Sequence, residues 1–181
     1  MVRAYRVDDR LIHGQVQTQW IAEYQINRII IIDDGVVKDA IAMQILKIAK
    51  PPSIDLVVCG TDRAMQLLEK DSRQSNARTF VIFKTITTAW RLVEAGLKME
   101  TLVVGPTSAK QGAKQMGKNT YFDREEQEAA AKLHGREWKS SSGCCQGTQN
   151  LPIGPSWKTN NEFRQKKEYE EELWGLHLFR H

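Results

Sequence analysis

Cysteine, proline and long apolar runs are all scarce in this 181-residue chain, and each scarcity removes a class of protein from consideration. With three cysteines there is no argument for a disulfide framework or a structural metal: Cys59 ends an apolar run and reads as a small core residue, while Cys144 and Cys145 are adjacent and lack the partners of a zinc site. The first apolar stretch is short and interrupted by Arg3 and Arg6, so a signal-peptide core is not expected, and no later run is long enough to span a bilayer. The expectation is a cytosolic protein. His134, His177 and His181 match no metal spacing, and no serine elbow or Cys-His pairing can be placed, which leaves hydrolase chemistry unsupported. A net charge of +4 admits acidic partners, but lysines and arginines are interspersed with acids and no nucleic-acid motif is present, so nucleic acid is not expected as a partner.

What remains is an alternation of short apolar strands with helices. Strands are expected at 2–7, 28–32, 55–59, 79–83 and 102–104, and helices at 15–23, 38–50, 61–69, 87–95 and 123–134. In the first helix Val16, Trp20 and Ile21 share a face, with Trp20 expected as core packing. In the second, Ile41, Ile45 and Ile48 are expected on the inner face, and Pro51 and Pro52 stop the helix. A Thr or Asp cap opens the third, and Gly96 closes the fourth. Near-continuous apolar strands alternating with helices imply an α/β fold: an open, mainly parallel sheet with helices on both faces.

In such a fold the loops at the carboxyl edge of the sheet carry ligands. The loop after the first strand holds His13, with Arg10 three residues before it and Gly14 and Gln15 opening the next helix. A neutral imidazole is a competent nucleophile, and a neighbouring carboxylate, Asp8 or Asp9, can fix its tautomer. Arg10 offers a permanent charge and a fork of donors shaped for phosphate oxygens, and the helix start offers N–H groups to an anion. An isolated loop histidine is more often without a role, with Asp9 a cap and Arg10 a solvated charge. A carboxylate beside a phosphate would repel it, so at least one of Asp8 and Asp9 should turn away to cap, to pair with Arg10 or to orient the ring. The segment Gly105-Pro106-Thr107-Ser108 is the candidate second wall, because small residues and hydroxyls let backbone N–H groups approach a phosphate; Gly-Pro is equally ordinary turn punctuation. Asp33-Asp34 and Lys84-Thr85 could join if their strands neighbour the first, while Lys110 and Lys114 read as solvated charges.

The string Arg6-Val7-Asp8-Asp9-Arg10-Leu11-Ile12-His13-Gly14-Gln15-Val16 strongly resembles the phosphorylation loop of the mannose, fructose and sorbose family of enzyme IIB subunits of the bacterial sugar phosphotransferase system. The stretches Arg28-Ile29-Ile30-Ile31-Ile32-Asp33-Asp34, Phe80-Val81-Ile82-Phe83-Lys84-Thr85, Leu102-Val103-Val104-Gly105-Pro106-Thr107-Ser108 and Lys118-Asn119-Thr120-Tyr121-Phe122 resemble its later strands and loops. The resemblance implies that His13 accepts a phosphoryl group from the phosphohistidine of a IIA partner and passes it to a hexose-type sugar arriving through membrane components IIC and IID. Arg10 then supports the phosphorylated histidine, and no cofactor or metal is required. It also implies a cytoplasmic subunit, peripherally associated with the membrane transporter, with a homodimer as the working guess. A non-catalytic phosphate- or partner-binding module of the same fold is the alternative.

The resemblance covers 2–134 and stops there. Residues 135–181 hold three of the five tryptophans and two of the three cysteines, and no strand of useful length can be read where the family pattern calls for one. The tail is either a divergent extension, with a helix between Glu162 and Trp174, or the product of a changed reading frame; in the second case it is expected to be poorly ordered or loosely packed.

Overall fold

The computed structural model describes residues 1–134 other than 15, 75 and 118; the tail expected to be divergent lies outside the described residues. Five parallel strands form the main sheet in the order β3-β2-β4-β1-β5: β1 is Val2–Val7, β2 Arg28–Ile32, β3 Asp55–Cys59, β4 Thr79–Phe83 and β5 Val103–Val104. The α/β architecture read from the alternating pattern is the one observed.

Side chains of successive strand residues point to opposite faces, and the isoleucine run of β2 divides accordingly. Ile29 and Ile31 join Phe80 and Ile82 on one face, and Ile30 and Ile32 join Val81 and Phe83 on the other. The first face is covered by a helical segment at Val16–Ile21 and by helix α1, Ala40–Ala49. The second is covered by α2 (Thr61–Ser72), α3 (Ile86–Glu94) and α4 (Arg124–His134). A small antiparallel hairpin of β6 (Lys114–Gly117) and β7 (Thr120–Phe122) precedes α4, and β6 had no sequence signal.

Two local expectations need correction. Ile41, Ile45 and Ile48 are not on the inner face of α1: they are 73%, 58% and 84% exposed, while Leu46 is 4% exposed and Ala42, Met43 and Ala49 pack against the core. The helix is apolar around most of its circumference, so two stripes satisfy the spacing, and packing beside the Trp20 segment selects the smaller one. The segment after His13 is also not a regular α-helix. It is π-helical over Val16–Ile21, a wider turn in which Trp20 stacks between Tyr24 and Phe80 at ring-centroid distances of 5.4 and 5.0 Å.

Two helix starts differ in detail from the sequence reading. Gly60, not a Thr or Asp, is the N-cap of α2, and the missing acceptor is supplied from another strand's loop: Asp34 Oδ1 accepts the Thr61 backbone N–H at 2.7 Å. For α3 the cap is Thr85, and the helix ends at Gly96 with φ +104°, the left-handed conformation that favours glycine.

The strand order decides what reaches His13. Strand β1 lies between β4 and β5, and the helices that follow β1 and β4 cover opposite faces of the sheet. Such a switch point opens a crevice at the carboxyl edge. The loops after β4 and β5 therefore flank the His13 loop, whereas Asp33 and Asp34, in the turn after β2, stand beyond β4.

Candidate functional site

The His13 loop is a tight turn held open by one strained residue. The Asp8 backbone N–H extends the β1–β4 ladder by donating to the Phe83 carbonyl at 2.9 Å, and the Leu11 N–H folds back to the Asp8 carbonyl at 3.1 Å. Leu11 sits at φ +57°, a left-handed backbone that costs a bulky L-residue energy and persists only when its surroundings enforce it. Burial of the Leu11 and Ile12 side chains supplies that enforcement. The turn lifts His13 out at the edge with both ring nitrogens engaged.

The partners assign the tautomer. Arg10 Nη2 lies 2.8 Å from His13 Nε2, and His13 Nδ1 lies 2.9 Å from the Leu11 carbonyl. A guanidinium only donates and a carbonyl only accepts, so in this arrangement Nε2 presents its lone pair to Arg10 and Nδ1 carries the hydrogen. Arg10 is therefore already docked on the imidazole.

Of the two candidate carboxylates, Asp8 is the one at the ring. It is fully buried; Oδ2 accepts from Arg6 Nε and Nη2 at 3.0 and 2.8 Å and stands 3.7 Å from His13 Nε2. Its other oxygen accepts the Arg10 backbone N–H at 3.1 Å and lies 3.6 Å from Arg10 Nε. Asp9 turns away and accepts the Ser108 backbone N–H at 2.5 Å.

That bond brings the 105–108 loop against the His13 loop, as expected for a second wall, but the loop's donors are engaged. Gly105 N–H bonds the Val7 carbonyl at 2.7 Å, Thr107 N–H bonds the Asn119 carbonyl at 2.9 Å, and Ser108 N–H is held by Asp9; Pro106 has none to offer. The Thr107 hydroxyl donates to the Tyr121 carbonyl and accepts the Tyr121 N–H, both at 2.7 Å, which ties the loop to the small hairpin. Only displacement of Asp9 would turn the Ser108 N–H toward an anion. At Gly14, by contrast, an added Cβ would meet no atom within 4 Å among the described residues beyond its chain neighbours, which leaves room for a group beside that glycine. Gln15 lies outside the described residues. Because the helical segment behind His13 is short and π-helical, the positive charge at the site comes chiefly from Arg10 rather than from a helix dipole.

Other candidates have structural partners. Asp33 Oδ1 accepts the Gly35 and Val36 N–H groups at 3.0 and 2.8 Å, closing the turn after β2. Lys110 is exposed, as expected, but is also paired: its Nζ lies 2.9 Å from Glu126 and 3.7 Å from Asp123. Among the described residues no group of three or more His, Cys, Asp or Glu is placed to hold a metal ion, and no helix is long and apolar enough to cross a membrane. What sequence reasoning passed over is Arg6. The sequence offered only an arginine inside an apolar strand two residues before an aspartate, which becomes telling once both are seen to be buried.

Residues 2–151 match the family described as the PTS system sorbose subfamily IIB component, PTS being the phosphotransferase system. This chain belongs to that family. The match continues past His134, so 135–151 falls within it, beyond the 2–134 expected from the sequence resemblance. The sorbose-specific EIIB component of Lacticaseibacillus casei is 36% identical over 129 residues, covering 71% of this chain and 78% of its own length. The mannose-specific EIIAB component of Escherichia coli K12 is 33% identical over 131 residues, covering 72% of this chain; the chain spans 40% of that longer protein. In structure, the IIB domain of the Klebsiella pneumoniae sorbose permease superposes with a TM-score of 0.67 at 30% identity, covering 74% of this chain and 81% of that one. The chain is thus a IIB component of the phosphotransferase system by family, and its open parallel sheet is the fold of the sorbose permease IIB domain.

Proposed function

We propose that this IIB component is a phosphocarrier that takes a phosphoryl group from a IIA phosphohistidine onto His13 and delivers it to a hexose-type sugar entering through IIC and IID. The observation that carries this reading is the Arg10 guanidinium, docked 2.8 Å from the imidazole on a turn that projects His13 at the sheet edge. As the N–P bond forms on the His13 ring, the N–P bond of the donor breaks and its electron pair returns to the donor nitrogen. If each ring carries its proton on the nitrogen away from phosphorus, no net proton transfer is needed. In the second step a sugar hydroxyl forms the O–P bond and releases its proton, and the pair in the N–P bond returns to His13.

Arg10 supports this chemistry by swinging from the ring to the equatorial phosphoryl oxygens, a short move for a half-exposed side chain. Gly14 leaves room for the group beside the backbone, and Ser108, with Thr107 and Gly105 behind it, forms a wall whose N–H is released if Asp9 yields. Asp9 is thus an anion already holding a place that a phosphoryl oxygen could take. The setting is cytoplasmic and peripheral to the membrane components. A homodimer and the nature of the sugar belong to the same proposal.

The test is phosphoryl transfer from a phosphorylated mannose-type IIA domain to the full chain and to His13→Ala, read as acid-labile phosphate by intact mass. One added phosphate, absent in the variant, is expected. No added phosphate on a folded wild type would instead favour a module that binds phosphate or a partner without covalent transfer.

A further inference from the structure

Beneath the His13 loop, Arg6 is completely buried and directs two of its three nitrogens at one oxygen of Asp8. Its guanidinium carbon lies 5.1 Å from the Trp20 ring centroid, and its Nη1 has no hydrogen-bond partner among the described residues. Gly105 also closes against the pair: an added Cβ there would fall 2.4 Å from Arg6 Nη2, 2.7 Å from Cζ and 2.8 Å from Asp8 Oδ2. A buried ion pair is a poor device for stability, since apolar groups of the same shape usually serve as well, and a pair that leaves a donor unsatisfied is poorer still. Its value is better sought at the exposed end, where the same carboxylate meets Arg10 and His13.

We propose that Arg6 is a positioning residue for phosphoryl transfer: it neutralises and fixes Asp8, so that Asp8 can hold Arg10, and through Arg10 the His13 ring, without repelling the phosphoryl group, and Gly105 is required because only a residue without Cβ admits the guanidinium. The proposal rests on His13 as the phosphoryl acceptor. An unpaired Asp8 carboxylate 3.7 Å from Nε2 would stand against every incoming phosphoryl oxygen. Paired with Arg6, it presents little net charge and keeps its geometry. Arg6 itself touches no reacting atom and acts through Asp8.

The experiment uses the full chain, with Arg6→Lys, which keeps the charge but loses the two-pronged contact, and Gly105→Ala, which keeps Arg6 but pushes it off Asp8. Single-turnover transfer from a phosphorylated IIA domain is measured across donor concentration on protein shown to be folded by circular dichroism. The expected result is a first-order rate reduced between about tenfold and a hundredfold in both variants, with half-saturating donor concentration changed less than about twofold and the His13 ring ¹⁵N signals displaced from wild type. Wild-type rates in either folded variant, or a loss confined to donor saturation, would overturn the proposal. If neither variant folds, the wild type decides: an exchange-protected Arg6 Nε–H signal that shifts on phosphorylation supports the coupling, and an unshifted one overturns it. Failure of wild type itself to gain phosphate on His13 would count against the carrier reading, not against Arg6.

Discussion

Asp9 and Ser108, 99 positions apart in the chain, meet in a 2.5 Å hydrogen bond from the Ser108 backbone N–H to the Asp9 carboxylate. This bond locks the loop after β5 onto the histidine loop after β1. It follows from strand order alone: β5 is the edge neighbour of β1, so their carboxyl-edge loops must touch, and a charged acceptor facing a backbone donor closes the gap.

If the bond is a latch, Asp9→Ala should raise hydrogen exchange at the Ser108 amide by about tenfold, the equivalent of a charge-assisted bond of about 1.4 kcal/mol. Exchange at the rate of an unprotected amide in the wild type would show that no latch exists. Added inorganic phosphate should slow exchange in the variant more than in the wild type, because the freed N–H then faces an anion in place of the carboxylate.

Arg10 is half exposed, and its side chain reaches only the edge of Asp8 and the His13 ring, so its replacement separates chemistry from folding. Arg10→Gln should leave the melting temperature within about 2 °C of wild type, as surface changes do, and lower the rate of phosphoryl acceptance by about a hundredfold, the usual cost of removing one donor from a developing charge. Single-turnover kinetics beside a thermal melt would check both halves. An equal rate in the variant would remove Arg10 from the site.

The five parallel strands and the loop carrying Arg10 and His13 could be read from the sequence because strand periodicity and loop position are local properties. Three other features could not. Which side of α1 is buried depends on the shape of its neighbours, and isoleucines at 41, 45 and 48 look no less suitable for a core than Ala42, Leu46 and Ala49. The engagement of the Thr107 donors depends on a hairpin whose first strand, Lys-Gln-Met-Gly, has no β signature, and that of the Ser108 N–H on the carboxylate of Asp9, 99 positions away. The pairing of Arg6 with Asp8 is legible only once both are known to be buried.

The α1 correction has its own test. Ile45→Ala should cost less than about 1 kcal/mol, because the side chain is 58% exposed, whereas Leu46→Ala should cost about 2–4 kcal/mol through lost burial and a residual cavity. Denaturant melts of the two variants would reverse in order if the isoleucine stripe faced the core.

Asp34 supplies the pH dependence whose sign is most direct. The Thr61 backbone N–H, bonded at 2.7 Å, holds the Asp34 carboxyl below its usual range; burial opposes it less strongly, and the Thr61 hydroxyl adds to the lowering. A lowered folded-state value means that the ionised group contributes stability above the unfolded carboxylate pKa of about 3.9, and that this contribution is lost as pH falls through the lower folded value. Asp34→Asn keeps an acceptor at the α2 N-terminus but removes the charge. The stability difference between wild type and Asp34→Asn should therefore be constant above about pH 5 and shrink below about pH 4. Asp34→Ala, which also removes the cap, should cost about 1 kcal/mol at neutral pH. Urea melts at pH 7, 5 and 3.5 measure all three proteins on one scale; a difference that widened toward acid would mean that Asp34 is protonated more readily in the fold than in the open chain, and the capping assignment would have to be abandoned.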